Sequence, residues 1–325
     1  MLILSHHDVR QALPMREAVE AMKRAFAQLS TGQAEVPLRV PVHVPRHNGL
    51  TLFMPAYLAA DDQMAVKIVS VFNDNPVRGL PLIHALVVVI DAGTGAPVAA
   101  MEGASLTALR TGAASGAATD LLARPDAAVA AVFGAGVQGR TQLEAVCAVR
   151  PIREAWVYDV DPRRAQAYAE EMGGRLGIPV RVAASPAEAV RRADVICTAT
   201  TSTTPVFDDA DIRPGTHINA VGAYTPQMRE VPTETVLRAR VVIDHRTASL
   251  AEAGDLLIPI REGRMTEEHI WAELGEIVAG LKPGRLSPDE VTLFKSVGVA
   301  VQDVAAAAAV LEAARRQNLG VEVPL

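Results

Sequence analysis

The chain has 325 residues, half of them apolar and 21% charged, which suits two hydrophobic cores better than one. A formal charge of -6 leaves no basic footprint for nucleic acid. Two cysteines, Cys147 and Cys197, make no disulfide framework and fall at no metal-ligand spacing, so a reduced, cytoplasmic setting is expected.

Near the N-terminus, apolar residues at helical spacing (Val19, Met22, Phe26, Leu29) predict a helix over 9–29, ended by Gly32. Strands follow at 39–44, 51–55, 64–71 and 86–91; the last meets Asp91-Ala92-Gly93-Thr94-Gly95, a hairpin turn into 97–102. This is an antiparallel α+β block. Residues 105–122 form a helix of small side chains, with Gly112 and Gly116 permitting close approach. From 127 the rhythm becomes strand–helix alternation, with strands at 128–133, 155–158, 180–182, 195–198, 217–221 and 241–244. Helices begin at 141, 163 and 186. The α/β class follows: a Rossmann doubly wound parallel sheet joined to the α+β domain. A last helix, 299–316, comes after the Rossmann block, so the domains are 1–116 with 299–325, and 117–298. The longest apolar stretch, 127–135, is too short to span a bilayer. Eight scattered histidines show no ligand spacing, so neither membrane nor metal is expected.

The motif with most chemistry is Gly134-Ala135-Gly136-Val137-Gln138-Gly139, between a strand and a helix. Glycines here allow a tight turn and close backbone approach, so a pyrophosphate sits on the helix N-terminus. Asp159, about 20 residues further on, is placed to accept ribose hydroxyls. That carboxylate repels a 2′-phosphate and favours NAD. Arg163 and Arg164 are either solvated first-turn residues or a 2′-phosphate site, which keeps NADP as the alternative. Two further loops, Thr198-Ala199-Thr200-Thr201 and Val221-Gly222-Ala223-Tyr224, follow strands and are expected to line the crevice. Such threonines also commonly satisfy local turns.

Three basic residues keep apolar company in the first domain. Lys67 stands in Met64-Ala65-Val66-Lys67-Ile68-Val69-Ser70-Val71, Arg110 in the small-residue helix, and Arg39 between Leu38 and Val40. An isolated buried ammonium costs several kcal/mol, so Lys67 needs a partner or solvent. That partner is a structural carboxylate or a substrate carboxylate, and spacing alone leaves both open.

Taken in order, Phe53-Met54-Pro55, Lys67, Arg110-Thr111-Gly112-Ala113, the glycine turn, Val221-Gly222 with Pro226 and Glu230, and Phe294-Lys295-Ser296-Val297-Gly298 through Gln302-Asp303 resemble the ornithine cyclodeaminase/mu-crystallin family. The resemblance implies a homodimer whose first domain binds substrate, with the last helix joining it. It implies that Arg39, Lys67 and Arg110 hold an amino-acid carboxylate, and that Lys67 also handles the proton at the amine or imine. It adds Thr111, Val137, Gln138, Ser296 and Gly298 to the cofactor-binding set, beside Gly134, Gly136, Asp159, Arg163, Thr198, Ala199, Thr200, Val221 and Gly222. The chemistry implied is hydride transfer at the amino-acid Cα, run as cyclodeamination, as dehydrogenation or as reduction of a cyclic imine.

Two positions depart from the ornithine-specific pattern. Cyclodeaminases carry an aspartate where Tyr224 stands, and a glutamate where Leu52 stands. Without either, a terminal ammonium lacks compensation in a closed cleft. Tyrosine, with a pKa of about 10, is also a poor base at neutral pH. The expected activity is therefore that of an NAD(P)-dependent amino-acid dehydrogenase or cyclic-imine (ketimine or pyrroline-2-carboxylate) reductase. Leu52, Met54 and Tyr224 would line its pocket. Ornithine cyclodeamination is the alternative, with Asp74 or Glu230 supplying a carboxylate. A non-catalytic dinucleotide-dependent binding protein is the third reading.

Overall fold

Pro14 divides the first predicted helix. In the computed structural model, which describes residues 1–324, the segment forms two helices, His6–Ala12 and Met15–Ser30. Proline lacks the N–H that would continue the first helix and suits the entry to the second. The chain resolves into two units: Met1–Arg110 with the segment from Ala300 onward, and Thr111–Val299. The first division falls inside the small-residue helix, Gly103–Leu122.

The first unit is built on one eight-stranded sheet. Its long members are Gly49–Leu58, Gln63–Phe72 and Ile83–Asp91, paired antiparallel in sequence order. Leu2–Leu4 adds to Pro97–Glu102 in parallel, and Val321–Glu322 pairs with Leu2–Leu4. These end strands are too short to show a period in sequence, so the block is mixed rather than purely antiparallel. The helix Ala300–Gln317 packs on Met15–Ser30 and on the strands Gly49–Leu58 and Gln63–Phe72. The register sets Met54 opposite Lys67 and Leu52 opposite Val69, so Leu52, Met54 and Lys67 share one face.

The second unit is an eight-stranded parallel sheet. Its strand order is Val180–Val182, Glu154–Tyr158, Val129–Phe133, Val195–Thr198, His217–Ala220, Thr292–Lys295, Arg240–Ile243, Ile270–Glu273. Ala131 and Phe133 enter one core while Ala130 and Val132 enter another on the opposite face. Burial on both faces is why this strand reads as a continuous apolar run. Two strands lie beyond the predicted series. Thr292–Lys295 and Ile270–Glu273 have four residues each, and the first inserts between two predicted neighbours. Strand order reverses at Val129–Phe133, which creates the crevice where ligands of such sheets bind. No helix among the described residues is long and apolar enough to cross a membrane.

Candidate active site

At the reversal point the three glycines have three different jobs. Gly134 adopts φ +98, and a Cβ there would meet the Ala199 carbonyl oxygen at 2.6 Å. A Cβ on Gly139 would stand 2.2 Å from the Gly134 carbonyl oxygen, so this glycine lets the helix Val137–Val149 close on its strand. Gly136 differs: its nearest atom is an Arg164 guanidinium nitrogen at 3.8 Å. It caps the helix without a side-chain hydrogen bond, which leaves the first N–H groups for an anion.

Beside this turn lies a cavity of about 330 Å³. Its walls include Gly134, Gly136, Tyr158, Asp159, Val160, Arg164, Ala199 and Thr200. Asp159 follows the strand Glu154–Tyr158 and is anchored there: Oδ2 accepts the Ala135 N–H at 2.7 Å and Oδ1 the Asp161 N–H at 2.9 Å. One lone pair on each oxygen is left for a ribose hydroxyl. An open glycine, an uncapped helix start and an anchored carboxylate fit a dinucleotide. Arg164, not Arg163, reaches the cavity; Arg163 is exposed and gives its backbone N–H to Asp161.

The other expected cofactor residues lie behind this wall. Thr198 is fully buried and donates its hydroxyl to Glu230 Oε2 at 2.9 Å. Glu230 also accepts from the Thr200 N–H and hydroxyl, and from the N–H groups of Gly222 and Ala223. One carboxylate thus ties the 198–200 loop to the 221–223 loop. Burial and the neighbouring Asp255 carboxylate raise its pKa. Asp255 in turn holds the Glu230 and Val231 N–H groups and the buried Lys295 ammonium, at 2.8 Å. Ser296 and Gly298 are held the same way: Asp244 Oδ2 accepts the Ser296 hydroxyl and the N–H groups of Val297 and Gly298. Asp244 and Asp255 escaped sequence reasoning because nothing local marks a carboxylate that braces a distant loop.

Val137 is exposed on the first turn of its helix, and the Gln138 Oε1 atom is buried without a partner. The Thr111 carbonyl accepts from Gln142 Nε2 at 3.3 Å. Tyr224 is half exposed. Asp74 is exposed and accepts from Asn48, while Glu230 spends its oxygens on five donors. The oxygens of Glu230 are therefore already engaged within its own unit.

In the first unit, Lys67 and Arg110 converge on one carboxylate. Lys67 Nζ lies 2.7 Å from Asp303 Oδ2, a charge contact outside hydrogen-bond alignment. Arg110 Nε donates to Asp303 Oδ1 at 3.0 Å, and its Nη1 to Gln302 Oε1 at 2.7 Å. Lys67, Arg110 and Asp303 are all at most 5% exposed. Burial pushes the Lys67 ammonium down to about 8; Asp303 opposes that fall, while Arg110 and the nearby Arg39 add to it. Arg39 is half-buried. Two buried cations thus share one buried carboxylate, with Arg39 close enough to act on Lys67.

The sequence profile of the ornithine cyclodeaminase/mu-crystallin family matches residues 1–318. The chain belongs to this family. It is 38% identical over 321 residues to the Δ1-pyrroline-2-carboxylate reductase of Bacillus cereus, covering 98% of each chain. Its fold matches the solved structure of the Thermococcus litoralis Δ1-pyrroline-2-carboxylate reductase in complex with NADH and L-proline, with a TM-score of 0.95 and 47% identity, covering 99% of this chain and 100% of that one. An archaeal alanine dehydrogenase dimer with bound NAD matches at a TM-score of 0.93 and 36% identity, covering 100% of this chain and 99% of that one. Family members thus include reductases and dehydrogenases that share this whole chain's architecture.

Proposed function

We propose that this chain is an NAD-dependent reductase of cyclic imines bearing an α-carboxylate, of the Δ1-pyrroline-2-carboxylate type. The observation that carries the reading is the convergence of two buried cations, Lys67 and Arg110, on one buried carboxylate, Asp303, with Arg39 near enough to act on Lys67. A substrate carboxylate balances the second cation. The relatives that reduce pyrroline-2-carboxylate support the substrate class, and those holding NADH or NAD support the cofactor.

When bound, the reduced nicotinamide supplies a hydride to the imine carbon. Arg110 and Arg39 orient the substrate through its carboxylate. Lys67 gives a proton to the imine nitrogen as the C=N electron pair moves there, and recovers one from water. Leu52 and Met54 share the Lys67 face and give the pocket an apolar wall, which suits a ring carbon chain and offers no partner to a terminal ammonium.

The reading extends to a homodimer. Val40, Phe53, Ile68 and Leu86 are register neighbours across four strands. Val40, Phe53 and Leu86 are exposed, on the face opposite Lys67. A row of apolar side chains across a sheet suits a self-complementary interface. Sedimentation should give twice the chain mass, and a monomer would refute the extension.

The decisive assay follows NADH consumption with Δ1-pyrroline-2-carboxylate and L-proline formation, beside an incubation with NAD and L-ornithine scored for ammonia. Reduction without ammonia release is expected. Proline from ornithine at a comparable rate would restore the cyclodeaminase reading.

A further inference from the structure

The carboxylate that joins the cations closes the Gln302-Asp303 pair of the family pattern, a position to which the sequence assigned no role. Asp303 lies in the first turn of the helix Ala300–Gln317 and is 1% exposed. An aspartate that served Arg110 alone would set both oxygens on the guanidinium fork, where the bidentate pair is strongest. Asp303 instead divides its oxygens, Oδ1 to Arg110 and Oδ2 to Lys67, and leaves the second Arg110 nitrogen to Gln302. The arrangement sacrifices a better single ion pair for a fixed distance between two cations borne by different elements, a strand and a helix.

We propose that Asp303 is a positioning residue of the reaction, which fixes Lys67 Nζ as the proton donor to the substrate nitrogen and keeps it charged at working pH. The proposal rests on the reading that Lys67 faces the substrate. Asp303 itself neither gains nor loses a proton. The hydride adds to the imine carbon, the π pair goes to nitrogen, nitrogen takes a proton from Nζ, and the neutral lysine is reprotonated from solvent.

The surroundings of Lys67 say why such a residue is needed. On the flanking strands its direct neighbours are Met54 and Val87, both apolar. Arg110 faces it from the helix Gly103–Leu122, and Arg39 from the segment ahead of Val40–Val44. Burial and both guanidiniums drive the proton off; Asp303, from the helix packed on the sheet, works the other way. Without it an ammonium buried beside two guanidiniums sheds its proton near neutrality. The donor is then lost even though the lysine remains.

The test compares wild type, Asp303→Asn, Asp303→Glu and Lys67→Met over a pH series. The readouts are NADH-dependent reduction of Δ1-pyrroline-2-carboxylate, NADH binding by fluorescence, and thermal melting. In Asp303→Asn, kcat should fall by about 10²-fold at neutral pH, with NADH affinity kept. Its alkaline limb should move at least about one pH unit toward acid, so that activity partly returns at low pH. Asp303→Glu should keep the wild-type limb with a lowered kcat. A folded Asp303→Asn whose limb does not move overturns the proposal. If Asp303→Asn does not fold, Asp303→Glu decides: unchanged kcat, or a limb displaced toward acid, overturns it. Lys67→Met separates the two levels. If that variant is active, the reading of the lysine fails and the proposal with it; if it is inactive while the Asp303→Asn limb stays put, only Asp303 has been misassigned.

Discussion

Met54 stands directly opposite Lys67 on the neighbouring strand, so the ammonium is bedded on an apolar face and depends on Asp303 for its counter-charge. This bedding sets a pH dependence. Lys67 is brought down from the ordinary lysine value to about 8, by burial first and by the two arginines against the pull of Asp303. Reduction needs the charged lysine, so kcat for the imine should hold at neutral pH and fall as pH rises through about 8. Oxidation of the cyclic amino acid needs the neutral lysine and should rise through the same range. Lys67→Met should lower reduction by about 10²- to 10⁴-fold while NADH binding survives. Opposite pH limbs for the two directions are the measurement that checks this; parallel limbs would remove the lysine from the proton path.

The glycines of the phosphate turn separate stability from cofactor binding. At Gly139 a methyl group meets the Gly134 carbonyl oxygen at 2.2 Å, so the helix must move away from its strand. Gly139→Ala should therefore cost about 1–3 kcal/mol of stability, read as a lowered Tm, and lose NADH affinity with it. At Gly136 the nearest atom is 3.8 Å away, on the flexible Arg164 side chain. Gly136→Ala should leave Tm nearly unchanged and raise KM for NADH, because the methyl group occupies ligand space only. An equal loss of Tm in both variants would show that Gly136 serves packing too.

What was legible in the sequence follows a physical line. The glycine turn, Asp159 and the strands 180–182 and 195–198 were readable because a local pattern carries them: a turn that only glycine fits, and apolar runs bounded by breakers. Pro14 was equally local and was passed over because the apolar period continues across it. Thr292–Lys295 was missed because four residues show no period, and its place between two earlier strands is set by tertiary packing. Lys67 and Arg110 were visible as charges out of place. Their partner Asp303 lies 193 residues beyond Arg110, and nothing in its own neighbourhood marks it as a counter-ion. The difference between Arg163 and Arg164 likewise depends on which way a helix turn faces, and only Arg164 reaches the cavity wall.

Glu230 braces two loops at once, which gives its removal a distinctive outcome. Its two oxygens accept five hydrogen bonds, three of them from backbone N–H groups. In Glu230→Gln one oxygen becomes an NH₂ group that faces donors, so buried N–H groups lose their acceptor at about 1–3 kcal/mol. The expected variant is folded, melts lower, and binds NADH about tenfold more weakly, since the 198–200 and 221–223 loops are no longer tied. Calorimetric titration with NADH checks it. A lowered Tm with unchanged NADH affinity would confine Glu230 to stability alone.

Cofactor choice turns on two groups at the cavity wall. Asp159 is held by the N–H groups of Ala135 and Asp161, so its carboxylate cannot swing away from an arriving 2′-phosphate. A phosphate there meets a fixed negative charge, and NADH should have the higher kcat/KM. Arg164 presents a guanidinium on the same wall, beside Gly136. Asp159→Asn should raise the NADPH-to-NADH ratio of kcat/KM by about tenfold, which is about 1.4 kcal/mol of discrimination. Arg164→Ala distinguishes the two phosphates it is able to reach. A loss confined to NADPH assigns it to the 2′-phosphate, and an equal loss with both cofactors assigns it to the pyrophosphate they share. The arginine sits by Gly136, at the uncapped start of the helix Val137–Val149, where a pyrophosphate is expected, whereas the 2′-phosphate belongs to the ribose that Asp159 is placed to hold. The expected outcome is therefore the equal loss.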